Sequence, residues 1–303
     1  MQPAPPVPFE TPRAAATLVL LRDTPTHMEV LLQRRHAGMS NMGGLHVFPG
    51  GKLDPGDTCL DAAAFLDQPA AALHTALHEA HTDLPTAAGL YVAALREALE
   101  ECGLLLAEPA PGTDPDAAPM DALRARALLQ SGMALPEMLA TLGLRLQTRQ
   151  LAPWSRWITP LAPSLMTRRF DTRFFVAAAP PGQTALHDGA EATDSVWLAP
   201  RAALEQYRDG HIDLAPPQIM ELARLARHSR VDSVLAAARR QPPPTILPEA
   251  FEDAAGQRVI CYPGDALHSV AGRVFPGPTR LCVQGRRFVP EDGFGALLDE
   301  DAQ

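Results

Sequence analysis

The chain has 303 residues, is rich in apolar side chains and carries a net charge of −9, which leaves material for a sizeable core and excludes a general nucleic-acid-binding surface. No apolar run reaches the length of a membrane-spanning helix, so no membrane association is expected. Cys59, Cys102, Cys261 and Cys282 fit neither a disulfide framework nor a C-x-x-C site, and the proline-rich N-terminus lacks a signal-peptide layout, so the expected location is cytoplasmic.

In chain order, 14–21 and 28–34 are apolar, β-compatible runs joined by "RDTPTH", which reads as a β-hairpin. A glycine-rich stretch follows, "VFPGGKLDPGD" from Val47 to Asp57. Residues 58–88 read as helix with a break at Pro85, after which helix resumes to Cys102 and stops at Gly103. A Pro/Gly linker spans 108–119, and two short helices follow near 120–143. Strands are expected at 154–159, 170–178 and 195–198, then helices at 200–208, 216–228 and 231–239. The segment after "QPPPT" at 241–245 shows only weak strand signals.

Chemistry concentrates in "REALEECGLLL", Arg96 to Leu106. On a helix of about 100° per residue, Glu97, Glu100 and Glu101 share one narrow face, with Val92, Leu95, Leu99 and Cys102 opposite. Clustered carboxylates repel unless a cation neutralises them, and hard oxygen ligands suit Mg²⁺ or Mn²⁺. The same pattern also describes a solvated acidic face. Gly50 and Gly51 allow a backbone to approach a ligand or a helix closely.

Together these halves resemble the signature of the Nudix hydrolases, G-x5-E-x7-R-E-U-x-E-E-x-G-U, where U is a bulky aliphatic. Gly51 opens it, Asp57 stands at the first Glu, and Arg96 to Leu104 match its second half with Ala98 at a U position. Between Asp57 and Arg96 lie 38 residues instead of seven, a 31-residue insertion. Lengthening a surface loop adds roughly 0.6 kcal/mol of closure entropy per doubling, so a surface lobe is the expected form of the insert. Upstream, Leu31, Leu32, Arg35, Gly44 and Phe48 to Gly51 resemble the motif of coenzyme A-cleaving Nudix enzymes; Gln33, His36 and Ser40 depart from it. The similarity extends over about residues 13–240 to the peroxisomal acyl-CoA diphosphatase branch and its bacterial relatives, which also carry a long insertion.

The resemblance implies an α/β fold: a Nudix α/β/α sandwich with a mixed sheet at 13–240, an inserted helical lobe at 58–88, and a C-terminal extension at 241–303 of unassigned role. It implies Mg²⁺ or Mn²⁺ held by Glu97, Glu100 and Glu101, with Arg96 orienting Glu97 or pairing with Asp57. Glu191 is the candidate for activating water, although an exposed loop acid fits it equally. Arg35, Arg168 and Arg169, with Gly50 and Gly51, are candidates for binding phosphates. The implied substrate is a small nucleoside diphosphate derivative, coenzyme A or acyl-CoA. Hydrolysis of ADP-ribose, NADH or a related compound is the alternative, and a non-catalytic nucleotide-binding regulator is the alternative of another class. His74, His78 and His81 read as a polar helix face before a transition-metal site. Trp154 and Trp157 read as core edge before an adenine platform.

Overall fold

The computed structural model describes residues 11–39, 42–113, 121–160, 169–187, 189 and 191–298. Strand β1 (Arg13–Asp23) turns back into β2 (Met28–Arg35), with Leu21 opposite Val30. Two short strands follow, β3 (His46–Val47) and β4 (Gly50–Lys52), then helices α1 (Pro55–Thr58), α2 (Ala62–Phe65), α3 (Ala70–Leu77) and α4 (Leu84–Cys102). Strand β5 (Ala107–Pro109), α5 (Ala122–Gln130), α6 (Leu135–Leu142) and β6 (Leu144–Leu146) form a small unit in which β5 pairs with β6. The sheet then gains β7 (Ala152–Ile158), β8 (Phe170–Ala178) and β9 (Ala192–Leu198), and helices α7 (Pro200–Arg208), α8 (Pro216–Leu225) and α9 (Val231–Arg240) follow.

The main sheet runs β7–β8–β1–β2–β3, with β4 on β1 and β9 on β2. It is mixed, because β8 lies parallel to β1 while β2, β4 and β9 pair antiparallel. Alternate residues of β1 serve two cores. Leu18 and Leu20 face α4 and the lobe, whereas Val19 and Leu21 face α7, α8 and α9. This is an α/β/α sandwich.

Two features differ from the sequence reading. Pro85 does not break a helix; it sits in the first turn of α4, where its missing N–H costs nothing, and the Asp83 side chain caps that turn by accepting from Thr86 N at 2.8 Å. Nor does the insert stand off the core as a separate surface lobe, because one face of it is buried. Leu66, Leu73 and Leu77 are buried in the same core as Tyr91 and Phe175, and Tyr91 donates to the Leu73 carbonyl. Polar ties add to this: Asp67 accepts from Thr148 Oγ1 at 2.6 Å, and Glu79 pairs with Arg173 at 2.9 Å.

The C-terminal segment forms β10 (Thr245–Ile246), which adds parallel to β7, and an antiparallel sheet of β11 (Glu249–Glu252), β12 (Arg258–Cys261), β13 (Arg280–Gln284) and β14 (Arg287–Pro290), with α10 (Gly295–Leu298) after it. Tyr262 and Phe275 stack near Trp157, with centroids 6.0 and 5.7 Å from it, so this extension closes one core rather than hanging from it. Among the described residues, no helix is long and apolar enough to cross a membrane.

Candidate active site

Helix α4 carries small residues where neighbours press on it. From Ala87 to Leu95 every residue is buried, because the alanines let β1, α1 and α3 approach closely. The helix opens outward again along one side of its last turns, and there the acidic stripe emerges. Glu97 and Glu100 keep some exposure, while Glu101 is 6% exposed. Gly103 ends the helix in the left-handed region at φ 67°, a conformation that favours glycine.

The glycine-rich loop meets this stripe. Gly50 donates its backbone N–H to Glu101 Oε2 at 3.0 Å, and a Cβ at Gly51 would collide with Glu97 Oε1. Any side chain at 51 would therefore displace the Glu97 carboxylate from its present position. Arg96, itself buried, organises the group. Its Nε and Nη2 grip both Asp57 oxygens at 2.9 and 3.0 Å, and its Nη1 donates to Glu97 Oε1 at 2.9 Å and Glu100 Oε2 at 3.0 Å. Asp57 reaches despite lacking the methylene of Glu, because α1 presents it; its Oδ2 also accepts from Asp54 N at 2.9 Å.

Burial dominates the electrostatics. It pushes the Glu101 carboxyl up to about 8, helped by repulsion from Glu97 and against the Gly50 N–H. It pushes Glu97 up to about 7, against the pull of Arg96 and with repulsion from Glu100. Glu100 is raised for the same first reason. For Arg96, burial favours loss of the proton, but Asp57 and the glutamates overcome it and hold the guanidinium charged. Crowded, part-buried carboxylates of this kind are what a divalent cation stabilises, so the donor types suit a hard divalent ion. No ready-made group of three or more His, Cys, Asp or Glu ligands is assembled among the described residues. Arg96 occupies part of that role, bridging Glu97 and Glu100.

Other candidates lie close by. Arg35 Nη2 is 3.7 Å from Glu191 Oε2, and both exert charge on Glu101. Among the described residues, the buried Arg35 Nε has no hydrogen-bond partner. Arg169 directs Nε and Nη2 to the Thr159 carbonyl, at 3.0 and 2.9 Å; Arg168, like Ser40, lies outside the described residues.

The tryptophans are not a platform for adenine. A register shift in β7 between Pro153 and Ser155 turns both indoles to one side. There Trp154 Nε1 and Trp157 Nε1 donate to the fully buried Glu221 at 2.6 and 2.7 Å. Among the described residues, His74, His78 and His81 are part of no metal-holding group. His78 instead ends α3 with φ 55°.

Sequence reasoning missed Glu221, Gln33 and Arg126. Gln33 Nε2 donates to the Glu101 carbonyl at 3.0 Å, and Arg126 Nε donates to the Glu100 carbonyl at 3.0 Å. Partners that are backbone carbonyls leave no sequence signal.

A sequence profile of the NUDT19 Nudix domain matches residues 11–225. The chain is 26% identical to the acyl-coenzyme A diphosphatase NUDT19 of Gallus gallus over 288 residues, 80% of this chain and 74% of that protein. It is 31% identical to the Homo sapiens protein of the same name over 235 residues, 68% of this chain and 62% of that protein; the chain thus spans less than two thirds of this relative's length. A NUDIX hydrolase from Alicyclobacillus acidocaldarius superposes with a TM-score of 0.57 at 30% sequence identity, covering 76% of this chain and 94% of that one.

Proposed function

The chain belongs to the NUDT19 Nudix domain family of the Nudix hydrolases, and from that premise we propose that it hydrolyses the diphosphate of coenzyme A or an acyl-CoA, releasing 3′,5′-ADP and phosphopantetheine or its acyl form. One observation carries this reading. Gly50 and Gly51 lie against Glu101 and Glu97 although the signature is split by the insert. The acyl-coenzyme A diphosphatases among its relatives support the substrate class.

Glu97, Glu100 and Glu101 are the candidate ligands for Mg²⁺ or Mn²⁺. When bound, such ions neutralise charge on the diphosphate oxygens and polarise the attacking water. Arg96 holds Asp57 and keeps Glu97 and Glu100 aligned. Gly51 lets the Glu97 carboxylate lie directly against the loop, and Arg35, 3.7 Å from Glu191, is the candidate for holding a substrate phosphate. Glu191 takes a proton from the water as its oxygen bonds to phosphorus. The bridging P–O bond breaks, and two phosphomonoesters leave. The four free thiols support a reducing, cytoplasmic setting.

The test is a panel of CoA, acyl-CoAs, ADP-ribose, NADH and diadenosine polyphosphates with Mg²⁺ or Mn²⁺. Release of 3′,5′-ADP as the fastest reaction is expected. Faster cleavage of ADP-ribose or NADH would assign the chain to those substrates, and tight nucleotide binding without any turnover would make it a regulator.

A further inference from the structure

A helix leaves its last carbonyls without intrahelical donors, and a glycine cap satisfies only some of them. At the end of α4 every one is satisfied. Ala98 O accepts from Leu104 N at 3.2 Å and Leu99 O from Gly103 N at 2.9 Å, as the cap provides. The next three are met from distant parts of the chain. Glu100 O accepts from Arg126 Nε at 3.0 Å. Glu101 O accepts from Gln33 Nε2 at 3.0 Å and Arg126 Nη2 at 3.3 Å. Cys102 O accepts from Leu186 N at 2.8 Å, and Arg126 Nη1 in turn holds the Leu186 carbonyl at 3.0 Å.

Arg126 thus commits Nε and Nη2 to the last turn of α4 and Nη1 to the Leu186 segment that closes it, from α5, outside the signature, and it is 7% exposed. Two of the carbonyls it and Gln33 hold belong to Glu100 and Glu101. We infer that Arg126, with Gln33, is a positioning residue for the proposed reaction: it fixes the rotation of the last turn of α4, and so the register of Glu100 and Glu101 against Gly50 and Gly51. A buried cation at a helix C-terminus also opposes the negative end of the dipole, just where three carboxylates add to it. An apolar cap would do neither. The inference rests on reading these glutamates as metal ligands. Its consequence is geometric, since small misplacements of a catalytic group cost large factors in rate.

Arg126→Met keeps the buried stem and removes all the donors; Arg126→Lys restores the charge and part of the bonding. Two readouts separate positioning from plain stability: Mn²⁺ affinity of the substrate-free protein by electron paramagnetic resonance, and kcat against KM on CoA. For folded Arg126→Met we expect about tenfold weaker Mn²⁺ binding and about 10- to 100-fold lower kcat, with KM within about twofold and partial recovery of both losses in Arg126→Lys. A lower melting temperature with Mn²⁺ affinity and kcat unchanged overturns the positioning role. If Arg126→Met does not fold, Gln33→Leu is measured in the same way: weakened Mn²⁺ binding supports the role and unchanged binding overturns it. Wild-type protein that binds no Mn²⁺ overturns the ligand assignment itself, and the inference with it. Wild-type binding matched by Arg126→Met overturns the positioning role alone.

Discussion

Arg96 and Asp57 close the insert into a loop: two hydrogen bonds of 2.9 and 3.0 Å join residues 39 apart, with Asp57 only 3% exposed. Breaking a buried pair leaves a charge uncompensated. Asp57→Asn should cost about 2–4 kcal/mol in urea unfolding, toward the lower end because Glu97 and Glu100 still hold Arg96. A cost within about 0.5 kcal/mol would mean that the pair does not anchor the loop.

Glu101→Gln retains an acceptor for the Gly50 N–H, so the fold should survive with an unchanged circular dichroism spectrum. Turnover should nevertheless fall by about a hundredfold or more, as when one electrostatic stabiliser of a transition state is removed. Near-normal turnover under the same metal conditions would remove Glu101 from the ligand set.

Arg35 tests the substrate. Coenzyme A carries a 3′-phosphate that dephospho-CoA lacks, and a charge-assisted hydrogen bond to it is worth roughly 1.5–3 kcal/mol. If Arg35 recognises that group, Arg35→Ala should lower the preference for CoA over dephospho-CoA by about tenfold or more while sparing dephospho-CoA cleavage. Equal losses on both substrates would show that Arg35 grips the diphosphate instead.

Leu73 is wholly buried beside Tyr91. Leu73→Ala should destabilise by about 2–5 kcal/mol in one cooperative transition, because the insert and α4 share a core. Replacing the insert with a Gly/Ser linker should expose Tyr91 and Phe175 and lower solubility. A soluble, fully stable deletion would show that the lobe contributes nothing to that core.

Asp265 sets an acid limit. Burial alone would raise its carboxyl, but Arg280, the Leu267 N–H and Thr279 outweigh burial and bring it down to about 2, from an ordinary 3.8. Arg280 Nε and Nη2 reach its two oxygens at 2.7 and 3.1 Å. A depressed folded value means stability that is present above about 4 and lost as the pH falls toward 2. Melting temperatures of wild type should drop across that window, and Asp265→Asn, already less stable at neutral pH, should drop less.

Legibility followed locality. The opening hairpin, β8 and α7 to α9 could be read because turn residues and periodicity lie within a few positions of one another. The stripe could be read because Glu97, Glu100 and Glu101 share a helix. The C-terminal sheet was harder, since strands as short as Arg258–Cys261 owe their form to partners across long loops. The same holds for the buried insert: Leu73 and Leu77 look like one face of any amphipathic helix until Tyr91 is found beneath them. The bulge that brings Trp154 and Trp157 to one carboxylate breaks the two-residue alternation on which the reading relied.

Helix α4 is enclosed on nearly every side from Ala87 to Leu95, and in its last turn each carbonyl is claimed. A segment so held has no independent opening event. The amides from Ala93 to Cys102 should exchange with deuterium only when the whole domain unfolds, among the slowest in the chain. Thermal inactivation should then coincide with global unfolding rather than precede it, so the enzyme's working temperature limit is set by its two cores and not by fraying at the site.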